Sequence, residues 1–80
     1  MKVEDLKLGA KITLAGNREY RIVDVRKEDG KDYIVCCTNK KPILPVVFEY
    51  KLNGEKIKVR LEENNDILTK IFSKMIKENT

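Results

Sequence analysis

Eighty residues make one domain, 1–80, with a small core, since a chain of this length buries only about 60–65% of its unfolded surface. The sequence is 41% hydrophobic and 38% charged with a net charge of +4, a balance that excludes a disordered chain and is only modestly basic. It has no histidine, which removes the commonest general base and the usual catalytic triad. No apolar run is long enough for a transmembrane helix, and the start MKVEDLK is too polar for a signal peptide. The expectation is a cytoplasmic protein with no membrane contact.

Met1–Leu8 is polar, anchored by Val3, Leu6 and Leu8, and a short turn ends at Gly9, where glycine accepts positive φ. The first strand, about 11–15, alternates with Ile12 and Leu14 on one face. The second, about 18–27, follows the Gly16-Asn17 turn. A three-residue loop 16–18 pairs Leu14 with Tyr20 and Ile12 with Ile22, whereas a two-residue loop mixes apolar with charged partners. The longer loop is therefore expected.

Within the second strand the apolar phase changes, from Tyr20 and Ile22 on one face to Val23 and Val25 on the other. Asp29-Gly30 is a type I′ turn signal that pairs Val25 with Ile34, Asp24 with Val35, Val23 with Cys36 and Ile22 with Cys37. The third strand, about 32–38, is then apolar on both sides. Such a strand bends at a bulge or kink, as in small barrels. Asn39–Pro45 breaks the strands with two prolines around Ile43 and Leu44, which are too apolar for a plain surface loop. They either fold back on the core or stand ready for a partner.

Strands 46–52 and 55–61 form the clearest hairpin, with Asn53-Gly54 as its turn. That turn sets Tyr50 opposite Ile57, Phe48 opposite Val59 and Val46 opposite Leu61 on an inner face. Glu49, Lys51, Lys56, Lys58 and Arg60 fall on the outer one. A helix over about 66–78, capped by Asn64, Asn65 or Asp66, carries the stripe Ile67, Leu68, Ile71, Phe72, Met75 and Ile76. The stripe is expected to dock on the inner face of the hairpin. The fold class is mostly β (α+β): a five-stranded, strongly bent antiparallel sheet or small SH3-like barrel with one C-terminal amphipathic helix. Together, GNREYRIVDVRKEDGKDYIVC, the hairpin and the helix are similar in layout to short, uncharacterised low-GC bacterial and phage proteins. The resemblance implies a compact stand-alone domain and carries over no site residue.

Catalytic chemistry has little to work with. Cys36 and Cys37 are neighbours in a strand, point to opposite faces and cannot readily bridge each other. Neither has an activating base, and two thiols without histidine make a poor zinc site. The carboxylates Asp24, Glu49, Glu62, Glu63 and Asp66 read as cross-strand, loop and cap residues, and no glycine-rich phosphate loop is present. No enzyme activity, cofactor or metal is expected. The first functional reading is a non-catalytic protein-interaction domain, a regulator or inhibitor of a larger complex, with Ile43 and Leu44 as the contact. The alternative is a nucleic-acid-binding barrel using Lys51, Lys56, Lys58 and Arg60, with Lys40-Lys41 approaching and Tyr33 as the one exposed aromatic. The competing role for these lysines is to keep a sheet face soluble and its edge unpaired. Pairing of two copies through a strand edge is a further option.

Overall fold

The computed structural model describes residues 3–79; Met1, Lys2 and Thr80, the outermost residues of the polar leader and of the helix flank, lie outside the described residues. A 3₁₀ turn at Val3–Asp5 leads into β1 (Lys11–Leu14), β2 (Arg18–Glu28), β3 (Lys31–Thr38), β4 (Pro45–Asn53), β5 (Lys56–Leu61) and α1 (Asn65–Glu78). The five strands form one antiparallel meander in the order β1-β2-β3-β4-β5, strongly curled into a half-barrel. The bent sheet with a terminal helix agrees with the sequence pattern.

Each connection follows from its turn residues. Asp29 and Gly30 both take positive φ, 51° and 78°, so β2 turns into β3 through the expected two-residue I′ geometry with Glu28 opposite Lys31. The first loop holds three residues, but they are 15–17, with Gly16 and Asn17 at positive φ. Ile12 therefore faces Tyr20, where the sequence suggested Ile22. The last hairpin turns at Gly54-Glu55 and not at Asn53-Gly54, since Asn53 pairs with Lys56. Gly54 alone of those two has positive φ (65°), which suits a type II′ turn with glycine first. Tyr50 then faces Val59, Phe48 faces Leu61, and Leu52 gains Ile57 in place of Glu55. Both corrections are slips of two residues, so every side chain keeps its face.

The phase change in β2 is a β-bulge. The register shifts between Ile22 and Asp24, leaving Val23 as the extra residue, 42% exposed. Ile22 pairs with Cys36 and Arg21 with Cys37, replacing the expected Val23/Cys36 and Ile22/Cys37 pairs. The bulge absorbs one residue, so Val25 packs with the cluster that holds Tyr20 and Ile22.

Two cores result, one on each face. On the inner face Ile12, Tyr20, Ile22, Ile34, Cys36 and Phe48 are buried together, flanked by Leu6, Val25, Val46, Tyr50 and Val59. Tyr20 and Phe48 meet edge to face at 5.3 Å although β3 lies between their strands. Neighbouring strands are about 4.8 Å apart, so side chains two strands away reach each other this closely by leaning inward over a curled sheet. Burial pushes the Cys36 thiol up to about 12, which keeps it neutral and inert as a nucleophile.

The outer face carries α1. Tyr33, Val35, Val47 and Ile71 are buried together, with Ile67, Leu68, Phe72 and Met75 beside them. The helix thus docks opposite to the face expected from the sequence. The inner face is already filled by residues of all five strands, whereas Tyr33 and Val35 would stand bare without the helix. Tyr33 is wholly buried and not an exposed aromatic, and Ile76 of the apolar stripe is 66% exposed. The Asn64 side chain caps α1 by accepting hydrogen bonds from the Asp66 and Ile67 amides. Ion pairs then fix its position. Lys74 Nζ donates to both oxygens of buried Glu28 at 2.9 and 2.6 Å, Lys70 reaches Asp29 at 3.2 Å, and Arg26 joins Glu78 to Asp24.

Ile71→Ala should cost about 2–5 kcal/mol, the range for truncating a buried aliphatic side chain. Ile76→Ala should stay within about 0.5 kcal/mol, as for an exposed position. Urea denaturation of the two variants checks the docked face, and similar losses would contradict it.

Candidate interaction site

The loop of residues 39–44 leaves the sheet where β3 ends and returns where β4 begins. The Thr38 hydroxyl holds it from inside. It accepts a hydrogen bond from the Leu44 amide at 2.8 Å and donates to the Pro42 carbonyl at 3.0 Å. The Thr38 amide in turn donates to the Leu44 carbonyl at 2.9 Å. Asn39 ties the loop to β2, its amide donating to the Glu19 carbonyl and its side chain to Glu19 Oε2. A hydrogen bond from Lys11, reinforced by its charge, holds the Glu19 carboxyl below its ordinary range. This braced loop presents Ile43 and Leu44 at 61% and 53% exposure, so neither folds back on the core.

A depression of about 400 Å³ lies next to the loop, lined by Arg18, Tyr20, Thr38, Asn39 and Lys40 among others. The sequence reading missed it. Its signal is the pairing of Tyr20 with Thr38, which brings the start of β2 beside the end of β3. That pairing is obtained only once the bulge at Val23 is placed.

Lys51, Lys56, Lys58 and Arg60 are exposed on the outer face, as the alternation requires. They do not form an uninterrupted cationic surface. Glu49 sits among them, only 5% exposed, with Arg60 Nη2 at 3.1 Å and the Lys31 and Lys51 ammonium groups at 3.9 Å. Lys51 also lies directly opposite Lys58. A shallow depression of about 250 Å³ runs over Glu49, Lys51, Lys58, Val59 and Arg60. The loop with Lys40 and Lys41 does not join this group. It follows the end of β3 that pairs with Pro45, whereas Lys51 follows the Asp32–Tyr50 pair at the opposite end. With Tyr33 under α1, the outer face of the hairpin offers no aromatic platform.

No protein-family model, curated protein or solved structure matches the chain. Among the described residues no helix is long and apolar enough to cross a membrane.

Thr38→Val should remove the internal brace and cost about 0.5–1.5 kcal/mol for each hydrogen bond lost. Hydrogen exchange at the Leu44 amide should quicken while the Ile34 amide in the core keeps its protection. Unchanged exchange at Leu44 would show that the hydroxyl does not hold the loop.

Proposed function

We propose that this protein is a non-catalytic interaction domain that binds another protein through Ile43 and Leu44, acting as a small regulator or inhibitor of a larger assembly. The observation that carries the reading is the combination of exposure with bracing at this loop. Two large aliphatic side chains face solvent on backbone already held by Thr38 and Asn39. Apolar anchors on pre-ordered backbone lose little conformational freedom when they bind, and that raises affinity for a given contact area. The adjoining depression beside Tyr20, with Arg18 and Lys40 at its rim, extends the surface available to a partner.

The nucleic-acid alternative through Lys51, Lys56, Lys58 and Arg60 is the weaker reading. Glu49 engages Arg60 and lowers the local positive potential, and base stacking has no exposed ring to use on this face.

Capture of partners from an extract of the source cells by wild type and by an I43D/L44D variant tests the proposal. The double variant should keep its circular dichroism spectrum and lose its partner by at least about tenfold in affinity, the effect of removing one buried anchor. A folded variant that keeps every partner would overturn the reading. So would wild type that retains nothing but shifts DNA or RNA in a gel at low salt.

A further inference from the structure

We propose that the outer edge of β5 takes up an extended peptide strand with acidic side chains on one face and apolar side chains on the other. This surface is separate from the Ile43–Leu44 loop and does not depend on it.

The backbone supplies the first part of the argument. β5 is the last strand in the sheet order and pairs only with β4. The two-residue turn makes Asn53 and Lys56 a hydrogen-bonded pair, and the pattern alternates from there. Lys56, Lys58 and Arg60 therefore direct their N–H and C=O groups at β4, while those of Ile57, Val59 and Leu61 point away from the sheet. The Glu62 amide, which donates to the Val47 carbonyl, continues the same alternation. Among the described residues no backbone hydrogen bond outside the sheet reaches this edge. Val3 and Glu4 of the N-terminal 3₁₀ turn share a depression with Gly54 and Glu55 at the hairpin turn.

Side chains decide what fits. An added strand continues both faces of the sheet. On the inner face its side chains would lie beside half-buried Val59 and exposed Leu61, and apolar groups would extend that core. On the outer face they would lie beside Lys58 and Arg60. There Lys58 already opposes Lys51, a like-charge pair that an acidic neighbour relieves. Glu49 is shared among Arg60 at 3.1 Å and Lys31 and Lys51 at 3.9 Å, and among the described residues Lys58 has no ion pair of its own. A second copy of this chain is the wrong occupant. Two-fold pairing of β5 with β5 about Lys58 sets Lys58 against Lys58 and Lys56 against Arg60, and pairing about Val59 sets Lys58 against Arg60, which repels. The lysines that discourage self-pairing thus select an acidic strand.

The test uses a short synthetic peptide of alternating valine and glutamate, fluorescently labelled, with the full chain at low salt. Amide shifts in the protein NMR spectrum should concentrate at Ile57, Val59 and Leu61. Val59→Pro removes one outward N–H at an edge position where proline is tolerated, and should weaken binding about tenfold, roughly the effect of one hydrogen bond. A K58E/R60E variant should lose the acidic peptide and gain a valine–lysine peptide, while I43D/L44D should bind the acidic peptide as wild type does. The proposal is overturned if saturating peptide leaves the β5 amides unmoved, if wild type takes the two peptides equally, or if sedimentation shows β5-dependent self-association.

Discussion

Everything in this fold turns on β3 being buried on both faces. Tyr33, Ile34, Val35 and Cys36 are consecutive and each at most 1% exposed. A strand alternates sides, so four buried neighbours demand cover above and below. Ile34 and Cys36 find theirs in the curl of the sheet, among Ile12, Tyr20, Ile22 and Phe48. Tyr33 and Val35 find theirs in Val47 and α1. The helix is therefore required to complete the outer core, and Lys70, Lys74 and Glu78 lock it against the β2–β3 end of the sheet. A domain this small has little stability to spare, so neither core alone is expected to hold it.

The sequence made face assignments legible and exact partners less so. Period two tells which residues share a face, and a shift of two residues leaves that pattern intact. Turn chemistry has to break the tie. It did so at Asp29-Gly30, where both residues adopt the left-handed region. At residues 53–55, Asn-Gly suggested a I′ turn, but glycine also serves at the first position of a II′ turn, and the pairing of Leu52 with Ile57 favours that alternative. The bulge at Val23 was announced by the phase change in β2, although not its position. The helix docks on the outer face even though the hairpin taken alone is more apolar on its inner one, because α1 packs chiefly on β3. The contrary signal is DYIVCCT itself, whose Tyr33 and Val35 face outward and need cover beyond their neighbour Val47, which α1 supplies.

For the candidate surfaces, local composition was informative and tertiary detail was not. Ile43 and Leu44 are exposed between Pro42, which lies outside the strands, and Pro45, which opens β4 opposite Cys37 as the first residue of a strand, where proline is accepted. The brace by Thr38 depends on how the loop folds back over five residues, which no pattern in the sequence encodes. Alternation put Lys51, Lys58 and Arg60 on one face, yet the burial of Glu49 among them required the sheet to be assembled. The two proposed surfaces lie toward opposite ends of β3, with the loop beyond Thr38 and the basic hairpin beyond Asp32. The doubly covered strand holds both in fixed relation.

Nuclear Overhauser contacts to the methyl groups of Ile71 test this arrangement most directly. The account predicts contacts from Ile71 to the Tyr33 ring and to Val35 and Val47, with Tyr20 and Phe48 in contact only with each other and the inner core. Contacts from Ile71 to the Phe48 or Tyr20 ring would place the helix on the inner face and contradict it.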